Sequence, residues 1–224
     1  MATFAKRNPN LWRSSHACHT IVAAFSRAMT AVMLCNWGVE TLIVCLGNAR
    51  ISDDGIGAMV GKVLQAVPLP STVTVCLAPR VTLALLDKIA SADQLVLVEA
   101  LACAEEPGTC TVVDVTDLPA SVASSECVHR SEVREILDIV RYVACDGSCS
   151  GVAIAGIELG QSEHCGTAFT KAVWTAIPRL VDLILLYVGA NLAARSAVKD
   201  AFHRLVPEVG EAEVWPPSDA RLAG

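Results

Sequence analysis

The sequence predicts an α/β protein, a three-layer α/β/α sandwich built on a mostly parallel five-stranded sheet. Three observations predict it. Short apolar runs of strand length alternate with stretches whose apolar residues recur at helical spacing. The runs are continuously apolar, as in strands covered on both faces. Apolar residues make up 53% of the 224, and aromatics only 4%, so aliphatic side chains and alanine must fill a large core. Strands alternating with helices imply parallel pairing, with helices on both faces.

The elements follow in order. Leu42 to Leu46 is a short buried strand. A polar turn leads to Ile56, Val60, Val63 and Val67 at helical spacing, and Pro68 ends that helix. Val73 to Leu77 is a second strand, and Val81 to Ala90 a second helix. Leu95 to Val98 is a third strand, ending at Glu99. Thr109 to Val115 is a fourth, after the turn Pro107-Gly108. Residues 116 to 128 read as an irregular loop. Val133, Ile136, Leu137 and Val140 mark a helix. Gly151 to Ile157 is the fifth strand, and Val173, Ile177, Leu180, Ile184 and Val188 mark a closing helix.

The domain spans residues 40–205. Residues 1–39 carry Lys6, Arg7, Arg13 and Arg27 and no acidic residue. That balance fits an organellar transit peptide, a disordered tail or a start codon placed too early. Residues 206–224, with Pro207, Pro216 and Pro217, read as a C-terminal tail. A cytoplasmic location is expected, or an organellar one if the leader is a transit peptide.

Bulk properties exclude several functions. A net charge of -6 lacks the basic footprint of a nucleic-acid binder. The most apolar run, Leu183 to Ala194, is shorter than the ~20 residues of a membrane span. The ten cysteines do not form a disulfide framework, because Cys45, Cys76 and Cys110 lie inside apolar strands. Zinc on Cys145, Cys149 and Cys165 is disfavoured, since no second pair has ligand spacing.

Ligands of open α/β sheets sit beyond the carboxyl ends of the strands. Three places satisfy that rule: the loop after Leu46, the strand end at Glu99, and the loop around His129. Gly47 to Gly57 reads GNARISDDGIG. It has neither GxGxxG nor a P-loop lysine, and its Asp53 and Asp54 would repel phosphate. Carboxylates there suit a cation. One of them also suits a helix cap, the more ordinary role for Asp53. Glu99 either points into the crevice or lies exposed beyond the sheet, and His129 is either a ligand or a surface residue at a helix entry. Together Asp54, Glu99 and His129 offer two carboxylates and an imidazole, a donor set for zinc, nickel, iron or manganese with positions left open. Cys127 stands two residues from His129, but a thiol–imidazole dyad is disfavoured against the metal reading.

The order of these motifs resembles the hydrogenase maturation endopeptidases, which trim the C-terminal extension of nickel-iron hydrogenase large subunits. Gly47-Asn48, Asp53-Asp54 and Gly55-Ile56-Gly57 match the family's opening motif, Glu99-Ala100 its third-strand motif, Pro107-Gly108-Thr109 its later turn, and His129 its histidine at a helix entry. The resemblance covers about residues 41–190. It implies the phosphorylase/hydrolase-like fold and an endopeptidase without a serine or cysteine nucleophile. It implies Asp54, Glu99 and His129 as both catalytic residues and ligands of a nickel that the substrate carries. It also implies a hydrogenase large-subunit precursor as partner, no nucleic acid, no membrane and a monomeric protein. Two positions depart from the family: glutamate replaces the usual aspartate at 99, and Cys76-Leu77-Ala78-Pro79-Arg80 replaces an Asp-Gly-Gly-Thr-like turn. The second departure keeps open a relative that binds a metal or partner without proteolysis.

Overall fold

Six residues, Thr41-Leu-Ile-Val-Cys-Leu46, form the central strand β1 (Thr41–Leu46), which is buried along its whole length. The computed structural model describes residues 39–48, 52–79, 82–102, 105–115, 151–159, 168–209 and 214–215. All lie in the compact unit Trp37–Gly224. Around β1 stand β2 (Val73–Ala78), β3 (Gln94–Leu101), β4 (Cys110–Asp114) and β5 (Gly151–Glu158). The sheet order is β2-β1-β3-β5-β4. β1, β2, β3 and β5 run parallel, and β4 pairs antiparallel with β5. The five-stranded, mostly parallel sheet is therefore as the sequence predicts.

Side chains alternate across the sheet with period two. One face sends Ile43, Cys45, Val96, Val98, Ala153 and Ala155 against three helices: α1 (Ile56–Gln65), α3 (Lys171–Tyr187) and α5 (Val198–Val209). The other sends Leu42, Val44, Leu46, Leu95 and Leu97 against Leu85 and Ile89 of α2 (Leu83–Ala90). Each such Leu or Ile contributes ~1.5–3 kcal/mol by leaving water. A short α4 (Leu192–Ser196) joins α3 to α5. There Arg195 donates to both carboxylate oxygens of Asp182, at 2.7 and 2.9 Å. A two-stranded ribbon pairs β6 (Phe169–Thr170) with β7 (Val214–Trp215).

The structure moves several sequence boundaries. α1 stops at Gln65, ahead of Pro68. α2 starts at Leu83, because Thr82 is extended and its hydroxyl accepts the Leu85 N–H at 3.3 Å. β3 runs on to Leu101, so Glu99 lies inside the strand. α5 continues through position 207 to Val209, and β7 follows within the segment read as a tail. The proline at 207 does not end the helix, because packing of Val198, Ala201 and Phe202 fixes its course. The loop 116–128, the helix expected near Val133 to Val140, and the leader lie outside the described residues.

Candidate functional site at the carboxyl end of the sheet

The two ends of the sheet are built differently. At the amino end, polar groups close on one another. Thr41 Oγ1 donates to Gln94 Oε1 at 3.2 Å, Gln94 Nε2 to Tyr187 Oη at 3.2 Å, and the Glu40 N–H to Asp93 Oδ2 at 2.9 Å. At the carboxyl end, carboxylates gather on and between the strands.

The chain leaves β1 at Gly47, whose φ of 138° lies where a side chain is strained. A Cβ there would also sit 2.3 Å from the Asp54 carbonyl oxygen. The loop closes as the Asn48 N–H donates to Asp54 Oδ2 at 3.3 Å. A 3-10 turn, Ser52–Gly55, then carries both aspartates into α1. Gly57 packs on the strand so closely that a Cβ would lie 1.6 Å from the Leu46 carbonyl oxygen. Glycine at 47 lets the chain turn, and glycine at 57 lets the helix touch the strand. Together they fix where Asp54 stands.

Asp53 has a different task from the one the sequence suggests. The N-cap of α1 is Gly55, and no side chain caps it. Asp53 is nearly buried, and its Oδ1 accepts the Thr170 N–H at 2.7 Å, across 117 residues of sequence. Thr170 in turn caps α3 through the Val173 N–H at 3.4 Å. The Asp53 charge therefore complements the positive ends of two helix dipoles. Beside it, Ser52 Oγ donates to the Ala168 carbonyl at 2.6 Å, which holds Ser52 at a positive φ of 30°. These contacts clamp the acidic turn to residues 168–170.

Glu99 is fully buried, at 0% exposure. The reading of an exposed glutamate beyond the sheet is thus overturned. Its Oε1 accepts the Ala100 N–H at 3.1 Å. The register sets Glu99 beside Gly156 of β5, a neighbour without a side chain. The acidic turn packs against β3, so Asp54 and Glu99 share the carboxyl end of two adjacent strands. His129 lies outside the described residues, as do Cys127 and the cysteines 145, 149 and 165. Among the described residues no three His, Cys, Asp or Glu side chains converge on a metal position.

The structure adds Glu158, which the sequence reading passes over. It is 3% exposed, opposite Leu101, on the sheet face that Glu99 occupies. Its signal is the one that singles out Glu99: an acid ending an apolar run, here Gly151 to Ile157. The Pro107-Gly108-Thr109 turn is tied to the same residue. The Gly108 N–H donates to the Glu158 carbonyl, and the Glu158 N–H to the Thr109 carbonyl, both at 2.9 Å. That turn therefore ties the start of β4 to the end of β5 at the carboxyl edge of the sheet. Glu99 and Glu158 are buried and Asp54 half-buried, and carboxylates so placed attract cations and repel phosphate.

Comparison with known proteins agrees on this architecture. The pattern described as HycI, hydrogenase maturation protease, matches residues 59–186, more than half of the chain. No curated protein matches by sequence. Among solved structures, the hydrogenase maturating endopeptidase HybD from E. coli is 21% identical with a TM-score of 0.55, over 65% of this chain and 90% of that one. An endopeptidase from Escherichia coli is 21% identical with a TM-score of 0.58, over 70% and 98%. The [NiFe] hydrogenase maturation protease HycI from Thermococcus kodakarensis KOD1 is 20% identical with a TM-score of 0.54, over 72% and 99%. These structures share the fold, and the family match over residues 59–186 shows that the chain belongs to the hydrogenase maturation proteases, a family of endopeptidases acting on hydrogenase large-subunit precursors.

Proposed function

We propose that the chain removes the C-terminal extension of a nickel-iron hydrogenase large-subunit precursor once nickel is in place, with Asp54, Glu99 and His129 completing the coordination of the nickel that the precursor carries. The observation that carries this reading is the buried Glu99 on β3, beside the strand whose exit loop is folded to position Asp54. Carboxylates at this end of the sheet suit a cation that arrives with the substrate. Cleavage then waits for nickel, because without it the precursor has no positive centre for the acids to engage. The metal supplies Lewis acidity toward the scissile carbonyl or a water. The protein's own groups bind and orient it. A monomer acting in the cytoplasm suits this reading. Among the described residues no helix is long and apolar enough to cross a membrane.

The test uses the purified protein with nickel-loaded and nickel-free precursor, read by mass spectrometry. Only the loaded precursor should shorten, and Asp54→Asn or His129→Ala should stop the reaction while circular dichroism stays unchanged. Normal cleavage by either variant overturns the site. Equal cleavage of both precursors removes nickel from the mechanism. Stable binding without cleavage favours a non-catalytic relative, the reading that exposed Pro79 motivates, since proline cannot offer an N–H to a bound chain.

A further inference from the structure

The edge of β2 is the second unusual feature of the carboxyl end. Among the described residues β2 pairs with β1 on one side and with no strand on the other. Its sequence, Val-Thr-Val-Cys-Leu-Ala, has no charge, no proline and no glycine. Exposed edges normally carry such guards, because unpaired N–H and C=O groups recruit other chains. The opposite edge strand, β4, ends in Asp114. Three large apolar side chains are exposed among the described residues, and two bracket the end of β2 in the sequence: Leu77 at 38%, within the strand, and Leu83 at 81%, at the start of α2. β2 runs parallel to β1 and ends beside it, with Leu46 opposite Ala78. The unguarded edge therefore leads to the strand exit that positions Asp54.

We infer that the outer edge of β2, with Leu77 and Leu83, binds an extended apolar stretch of the protein substrate next to its scissile bond, as an added strand. The inference rests on the endopeptidase reading, which requires a peptide chain at this end of the sheet. Three features choose the occupant. The edge offers main-chain groups, which suit a peptide. Six residues offer about 20 Å of pairing length. The strand itself has no charged side chain, and the charged group against it is a cation, Lys88 Nζ at 3.8 Å from Cys76 Sγ, so the stretch it matches is apolar and carries no positive charge. Main-chain bonds supply affinity in such strand addition, and the side-chain positions supply selectivity.

The experiment compares the wild type with Thr74→Lys and Leu83→Asp, both at exposed positions. Nickel-loaded precursor is the probe, with cleavage kinetics and amide hydrogen exchange as readouts. Expected is a KM raised at least tenfold in each variant with kcat within twofold, and added protection of the Val73–Ala78 amides when precursor binds the wild type. Wild-type KM in both variants, with no added protection, overturns the inference. Protection already complete in the protein alone also overturns it, because the chain's own residues then cover the edge. Protection that grows with protein concentration alone assigns the edge to a second copy and overturns it likewise. Precursor that protects β2 without being cut overturns the proteolytic reading and leaves the docking edge standing. Precursor that is neither cut nor protective overturns both.

Discussion

Glu99 is a carboxylate enclosed within the sheet, at the end where the acidic turn packs. It stands on the sheet face of Leu46, Leu97 and Leu101, at 0% exposure. An ionised carboxylate in such surroundings costs several kcal/mol unless a partner offsets it. Glutamine has nearly the same shape without the charge. Glu99→Gln should therefore melt no more than about 3 °C below the wild type. Its cleavage rate should fall by more than the ~10–100-fold that losing an outer-shell partner costs a metal site. Thermal denaturation and a cleavage assay on one preparation check both; a folded variant that cuts at the wild-type rate refutes the placement. Asp53 is the converse case. Its bond to the Thr170 N–H serves the fold, so Asp53→Ala should lose ~1–3 kcal/mol by stranding that amide. Asp53→Asn keeps an oxygen in place and should recover most of the loss in urea denaturation.

At the scale of elements, tight contact between β1 and α1 does what a longer loop cannot. A Cβ at Gly57 would meet the Leu46 carbonyl at 1.6 Å, which no rotamer change relieves, because the obstacle is backbone. Gly57→Ala should cost at least about 3 kcal/mol, at or beyond the upper end of ordinary overpacking, and displace the turn that holds Asp54. Urea midpoints read the first effect and residual cleavage the second. These elements were legible because their physics is local. The apolar runs of β1, β3 and β5 and the 3.6-residue period of α1 and α3 mark them directly. In the sequence Glu99 is marked as an acid ending such a run and Asp54 as an acid in the turn after one, and Glu158 carries the same mark as Glu99. Asp53 was misread because its partner lies 117 residues away. Local rules score an aspartate before a helix as a cap and cannot see another helix arriving beside it. Helix α5 was hidden for a similar reason. In the sequence no element is assigned to residues 198–205 and a tail starts at 206 on its prolines, while the helix is fixed by packing onto α1 and α3.

Across the whole molecule, burial in and against the core on one face of the sheet leaves Cys45 and Cys110 out of the chemistry. Cys45 and Cys110 are free, but burial holds them protonated. Burial pushes Cys110 up to about 11 from the usual 9.0, against the opposing pull of Arg179 and a backbone hydrogen bond from Leu180. Cys45 is pushed up further, first by burial and then by Cys76. A thiol needs its thiolate form to attack a carbonyl, so neither can serve as a nucleophile at neutral pH. The same shifts set how stability depends on pH. Folded-state values lie above the unfolded ones, so the native state binds more protons than the unfolded chain above pH 9. This contribution is fully present below pH 9 and is lost as pH rises through about 11 for Cys110, and higher for Cys45. Urea midpoints should be level from pH 7.5 to 8.5 and fall from pH 9 upward. Tyrosine and lysine also titrate there, so the informative quantity is the difference between proteins. Cys110→Ala should fall less steeply than the wild type between pH 9 and 10.5, and Cys45→Ala less steeply still, while cleavage at pH 7.5 persists in both. Parallel slopes in all three proteins would mean that the thiols are not buried as described. Loss of cleavage in a folded Cys45→Ala or Cys110→Ala protein would move the chemistry away from the carboxylate end of the sheet.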